Sequence, residues 1–103
     1  MNLLKETLDI LGENGKSASD VRWVGVDGRE PVVGSWDDFE RHANVDYDNG
    51  WGGAEIAMGL KIVGDDWWLE RGEYDGSEWW EYKTLPAKPS GAHPLRASDL
   101  MDL

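Results

Sequence analysis

Hydrophobic positions along this chain change period twice. From Asn2 to Leu11 they recur as Leu4, Leu8 and Leu11, flanked by Leu3 and Ile10. That is the 3.6-residue spacing of a short amphipathic helix. Gly12 or Gly15 is placed to end it, in the left-handed cap that favours glycine. Val21 to Val26 is β-branched and aromatic, and Asp27-Gly28 follows it as a hairpin dipeptide. The return strand is Glu30 to Gly34, and Pro31, with no donor for a ladder, makes it short or an edge strand. A two-residue turn there sets Trp23 opposite Val32. Ser35 then caps a second helix, with Asp37 and Asp38 at its positive end. Trp36, Phe39, Glu40 and Ala43 share one face of that helix, and Asn44 ends it.

The second change of period comes at Ile56. From there to Leu85 the apolar residues alternate, around two turn signals, Gly64-Asp65 and Asp75-Gly76. The first turn sets Ile62 opposite Trp67 and Leu60 opposite Leu69. The second sets Arg71 opposite Trp80, Leu69 opposite Tyr82 and Trp67 opposite Thr84. Both place Ile56, Met58, Leu60, Ile62, Trp67, Leu69, Trp80 and Tyr82 on one face of a three-stranded meander. Each of the two Trp-Trp pairs therefore sends one ring to each face. Trp67 and Trp80 are core, while Trp68 and Trp79 belong to the opposite face.

These elements predict an α+β fold. Its antiparallel sheet combines an N-terminal β-hairpin with the three-stranded C-terminal meander, and two short helices pack on it. Residues 1–88 form a single domain. Residues 89–103, with few apolar anchors, form an extended C-terminal tail in which Leu95, Leu100, Met101 and Leu103 either dock or form a short terminal helix.

Composition narrows the function classes. The chain has 103 residues, seven of them tryptophan, and 21 acidic against 10 basic residues, a formal charge of -11. Clustered bases are what phosphate contacts need, so direct nucleic-acid binding is not expected. Docking on an anionic membrane is disfavoured for the same reason. With no cysteine, disulfides, thiolate metal sites and cysteine nucleophiles are excluded. A cytoplasmic protein without a cofactor is expected. Oligomeric state is left open.

Candidate chemistry is sparse. Glu70 and Glu81 face each other across the meander, an arrangement that suggests a glycosidase acid pair or a cation site. Direct neighbours are too close to hold a substrate and a water between them, and Lys61 and Lys83 lie within reach of a salt network. The segment 44–55 holds Asp46, Asp48 and Trp51. An EF-hand reading fails there, because Gly50 stands at a ligand position and Ala57 at that of the bidentate glutamate. An Asx-turn loop with Trp51 against the core is expected instead. His42 and His93 lack partners at ligand spacing. Trp68, Tyr74 and Trp79, edged by Glu70 and Glu81, have the composition of a protein-binding hot spot.

The runs VRWVGVDG, SWDDFERHANVDYDNGWGG and WWLERGEYDGSEWWEYKTLPAKP, covering most of Val21 to Pro89, resemble small uncharacterised proteins carried by prophages and integrative elements of Gram-positive bacteria. The resemblance implies an accessory protein of a mobile element and carries no residue role. The expected function is a non-enzymatic, acidic protein-interaction protein with a basic protein partner. Seven acids against one base between Asp65 and Glu81 suggest a nucleic-acid mimic as one form of it. Trp68, Glu70, Tyr74, Trp79, Glu81, Asp46, Asp48 and Trp51 are the expected binding residues. The alternative is a small module that stacks a ligand such as a carbohydrate on Trp68, Tyr74 and Trp79.

Overall fold

A computed structural model of the protein describes residues 1–48, 53 and 55–101. Helix α1 spans Leu3–Glu13 and α2 spans Trp36–Ala43. The strands are β1, Trp23–Val26; β2, Val32–Gly34; β3, Leu60–Val63; β4, Trp67–Tyr74; and β5, Ser77–Thr84. The five strands form one antiparallel sheet in the order β2-β1-β3-β4-β5. Hairpin and meander are thus joined edge to edge through β1 and β3, and the α+β architecture is the expected one.

Local chemistry accounts for both helices. Asn2 caps α1 by accepting from the Lys5 backbone N–H at 2.9 Å, and Gly15 adopts φ +69° just beyond its C-terminal residue. Ser35 and Asp38 exchange hydrogen bonds at the start of α2, of 3.2 and 3.0 Å. The backbone N–H of Ser35, ahead of its hydroxyl, holds the Asp38 carboxyl below its ordinary value. The buried stripe of α1 differs from expectation. It runs Leu3, Thr7, Leu11 at a strict spacing of four, and Leu8 is exposed. Thr7 can be buried because its hydroxyl donates to the Leu3 carbonyl at 2.7 Å and accepts the Trp80 indole N–H at 2.8 Å.

The Asp75-Gly76 turn is as expected, with φ of 51° and 85°, the positive pair a type I′ hairpin requires. Every β4–β5 partner follows from it. The β3–β4 turn lies one residue later than expected. Ile62 pairs with Leu69, not Trp67, and Lys61 pairs with Glu70. Asp65 and Asp66 form the loop, and the Gly64 N–H donates to the Trp67 carbonyl at 2.9 Å. Gly64 is needed because a Cβ there would overlap the Trp67 indole. Moving a turn by one residue moves each cross-strand partner by two, so every side chain keeps its face.

Two further expectations fail. Strand β3 begins at Leu60, leaving Met58 exposed and Ile56 half-buried. The backbone N–H groups of Glu55 and Ile56 are held by the Glu78 carboxylate at 2.7 and 3.1 Å instead of by a strand. The β1–β2 connection is five residues, 27–31, and Val26 pairs with Val32. This odd shift of three turns Trp23 away from Val32 and onto the sheet face remote from the helices.

Both helices pack on one face of the sheet, over Val24, Leu60, Ile62, Trp67, Leu69 and Trp80, with Trp36 and Ala43 of α2 against them. Trp67 and Trp80 are core, as expected, at 2% and 5% exposure. Residues beyond Thr84 have no regular structure before a single 3-10 turn, Ala97–Leu100.

Candidate functional site

The helices occupy only one side of the sheet, and strict alternation sends a second set of side chains to the other. Trp23 of β1, Lys61 and Val63 of β3, Trp68, Glu70 and Tyr74 of β4, and Trp79 and Glu81 of β5 stand on this outer face. Trp23, Tyr74 and Trp79 are exposed, and Trp68 is half-buried. Trp79, on the edge strand, also borders a concavity lined by α1.

Two of the indoles lie over glycines. A Cβ on Gly25 would sit 2.9 Å from the Trp23 ring, and one on Gly72 would sit 2.6 Å from the Trp79 indole nitrogen. Each glycine lets an indole lie down against the backbone, and for Trp79 this is cover of a strand glycine by the aromatic opposite. Their outer faces remain to solvent. Between Trp23, Lys61, Val63, Trp68 and Glu70 lies a shallow hollow of about 360 Å³.

The polar groups of the face are tied to one another. The Trp68 indole N–H donates to Glu70 at 3.2 Å, and that of Trp79 donates to Glu81 at 3.3 Å. Lys83 sits with its ammonium 3.5 Å from Glu70 and 3.9 Å from Glu81. The facing carboxylates are therefore bridged by a cation, which offsets the repulsion of like charges placed opposite each other. Lys61, opposite Glu70, makes no ion pair among the described residues. Among the described residues no lysine ammonium stands over Trp68, and the lysine over an indole is Lys16, 5.8 Å from the Trp67 ring on the other face.

The expected binding residues divide. Trp68, Glu70, Tyr74, Trp79 and Glu81 come together on the outer face. Asp46 and Asp48 do not join them. Asp46 accepts from the Asn2 side chain at 3.3 Å, and the Asp48 backbone N–H donates to Glu55 at 2.9 Å. The Tyr47 ring between them is buried on the helix side. Trp51 lies outside the described residues. Trp23 is the member that sequence reasoning missed, because the length of the 27–31 loop decides its face.

The helix side holds a second charged cluster. Arg71, with a fully buried side chain, donates to Glu6 at 2.7 Å, to Glu78 at 3.0 Å and to the Tyr47 hydroxyl at 3.2 Å. Tyr47 in turn donates to Glu6 at 2.6 Å. The guanidinium stands 4.7 Å from the Trp80 ring centroid, a cation–π contact. Burial works against its charge, but the hydrogen bonds to Glu6 and Tyr47 outweigh that and raise its pKa. Burial, followed by the Glu6 hydrogen bond, pushes the Tyr47 phenol up to about 12. The cluster pins Tyr47 and the Glu55 and Ile56 backbone to the sheet, since Glu78 also holds those two N–H groups. Its role is structural.

No protein-family model, curated protein or solved structure matches the chain. No helix among the described residues is long and apolar enough to cross a membrane.

Proposed function

We propose that this protein works by non-enzymatic binding, docking a protein partner on the outer face of its sheet. The observation that carries this reading is the set of indoles on that face, Trp23 and Trp79 exposed and Trp68 half-buried, with the Glu70–Lys83–Glu81 group between Trp68 and Trp79. Aromatic rings at the centre of a patch, with polar groups around them, are the composition of binding hot spots. Acidic residues stand at both ends of this face, Asp66 in one turn and Asp75 in the other, while Asp65 is paired with Arg22 at 2.8 Å. With a formal charge of -11, they favour a partner with basic residues around an apolar centre and speed its approach.

The charges on the face itself are balanced, two lysines against two glutamates, and both carboxylates are occupied. This supports aromatic docking over nucleic-acid mimicry. A cytoplasmic accessory role in a mobile element fits the sequence resemblance and remains part of the proposal. The test is capture from a host lysate by the wild-type chain and by Trp23→Ala and Trp79→Ala variants, at low and high salt. Capture that survives salt and is lost in the folded variants supports the reading. Capture unchanged by both substitutions sinks it, and capture abolished by salt alone favours the mimic.

The placement of Trp23 and Trp79 over glycines also favours a second reading, a platform for sugar rings. It predicts quenching of tryptophan fluorescence by members of a glycan library, lost in Trp79→Ala.

A further inference from the structure

The sheet has two edges, β2 and β5, and they are built differently. Strand β2 has three residues and follows Pro31, which offers no donor. Short strands and prolines are how edges are kept from pairing. Strand β5 has eight residues without proline, glycine or bulge, and its partners on β4 run unbroken from Ser77 to Thr84. Its backbone directions follow from its turn. A two-residue hairpin turn is closed by a hydrogen-bonded pair, here Tyr74 and Ser77, and bonded pairs then alternate with unbonded ones. The Leu85 N–H, which donates to the Asp66 carbonyl at 3.0 Å, keeps the same parity. Odd-numbered residues of β5 therefore bond to β4, and Trp80, Tyr82 and Thr84 turn N–H and C=O to the free edge. Among the described residues those backbone groups have no partner.

The surroundings leave room for one more strand. Helix α1 rests on β5 and walls a concavity of about 280 Å³, with Ile10 on the helix and Trp79 and Trp80 on the strand. Tyr82 is half-buried, and Lys83 and Thr84 are exposed. The chain's own tail does not fit this edge. Pro86, Pro89 and Pro94 lack the N–H a ladder needs, and Ala97–Leu100 is already a 3-10 turn. A second β5 does not fit either. Paired strands lie about 4.8 Å apart, whereas packed helices stand about 8–10 Å apart. Each copy would bring an α1 resting on its own β5, on the same side of the joined sheet, and the two helices would collide.

We propose that β5 receives an extended strand of another protein, antiparallel to it along residues 80–84. Only a strand supplies acceptors and donors at the two-residue spacing of Trp80, Tyr82 and Thr84. Its residues opposite Trp80 and Tyr82 lie on the helix side, against the Ile10 concavity, and are apolar. The residue between them stands opposite Glu81 on the outer side and is lysine or arginine, because facing opposite charges favour pairing and like charges oppose it. The formal charge of -11 draws such a strand in. This goes beyond docking on the indoles, since it uses the edge and does not need Trp23.

The probe is a capped peptide, Thr-Val-Lys-Val-Thr, added to the full chain and followed by amide hydrogen exchange. In the free chain the Tyr82 and Thr84 amides exchange faster than those of Glu81 and Lys83. Saturating peptide slows the Tyr82 and Thr84 amides at least tenfold. N-methylation of both valines, whose N–H groups point at β5, abolishes binding. N-methylation of the lysine, whose N–H points away, leaves affinity within about twofold. Glu81→Lys weakens the peptide by about threefold or more and favours a counterpart with glutamate in place of lysine. Trp23→Ala leaves the peptide bound, which separates this edge from aromatic docking. Tyr82 and Thr84 amides already slow in the free chain overturn the proposal, whether its own residues or a second copy cover the edge. So does a peptide that fails to bind, one that binds with both valines methylated, or an affinity indifferent to Glu81→Lys.

Discussion

The two faces of the β4–β5 hairpin hold nearly the same chemistry in opposite settings. On the helix side one cation, Arg71, meets two carboxylates, Glu6 and Glu78, beside Trp80. On the outer side one cation, Lys83, meets Glu70 and Glu81 beside Trp68 and Trp79. The inner side chains are 0%, 14% and 0% exposed, the outer ones 47%, 31% and 42%. Burial decides what each triad does. In the core, charges are retained only with close geometry and nearly complete hydrogen bonding, and losing one partner strands the others. In solvent the same contacts are weak and replaceable. The inner triad is therefore part of the fold, and the outer one leaves its face free to meet something else.

The largest break in that contrast comes from removing the inner cation. Arg71→Met leaves Glu6 and Glu78 without it and is expected to cost about 3–5 kcal/mol in urea unfolding. Lys83→Met, the matching change outside, is expected to cost under about 1 kcal/mol. Equal losses would show that the two triads do not differ in kind.

Alkaline pH probes the inner cluster without a charge deletion. The Tyr47 phenol titrates near 12 in the folded chain against an ordinary 10.0. An acid whose folded pKa is raised favours its neutral form in the fold, so its contribution is complete below pH 10.0. It is lost as pH rises through about 12. The loss is of order 2–3 kcal/mol, at about 1.4 kcal/mol per unit. Unfolding at a series of alkaline pH values should show it, and Tyr47→Phe should flatten that slope. A slope unchanged in Tyr47→Phe would remove Tyr47 as its source.

The paired tryptophans give a smaller contrast. Trp80→Phe deletes the indole donor to Thr7 and leaves that buried hydroxyl without it, which costs about 1–3 kcal/mol. Trp79→Phe, whose donor is exposed, is expected to change stability by less than about 0.5 kcal/mol. Thermal unfolding of the two single variants separates them, and a Trp79 loss as large as that of Trp80 would contradict the assignment of faces.

How much of this was legible depends on parity. The assignment of Trp67 and Trp80 inward and of Trp68 and Trp79 outward follows from alternation alone. It survives a misplaced β3–β4 turn, because that error moves partners by two. Trp23 shows the converse. Asp27-Gly28 reads as a two-residue turn, yet a Cβ on Gly28 meets nothing and the loop takes five residues. An odd error in loop length reverses the face, and no local signal fixes that length. Arg71 and Glu78 were already on the apolar face by alternation, so a buried ion pair was readable there. Glu6 and Tyr47 were not, since they reach it from 65 and 24 residues away.

The smallest expected effect gives the closest comparison, because it uses one substitution twice on one strand. Glu78 and Glu81 are three residues apart on β5 and point to opposite faces. Glu81→Gln removes a charge that faces Glu70 and lies 3.9 Å from Lys83. The lost attraction and the relieved repulsion oppose each other, and an amide oxygen can still accept from Trp79. Stability should move by less than about 0.5 kcal/mol in either direction. Glu78→Gln weakens hydrogen bonds from Arg71 and from the Glu55 and Ile56 backbone, and hydrogen bonds to a charged group are worth about 1.5–3 kcal/mol. Hydrogen exchange at Glu55 and Ile56 should accelerate in Glu78→Gln and stay at the wild-type rate in Glu81→Gln. A Glu81→Gln variant that loosens those amides would mean that the two faces are coupled through the strand, and that the outer face is not free to evolve a partner independently of the core.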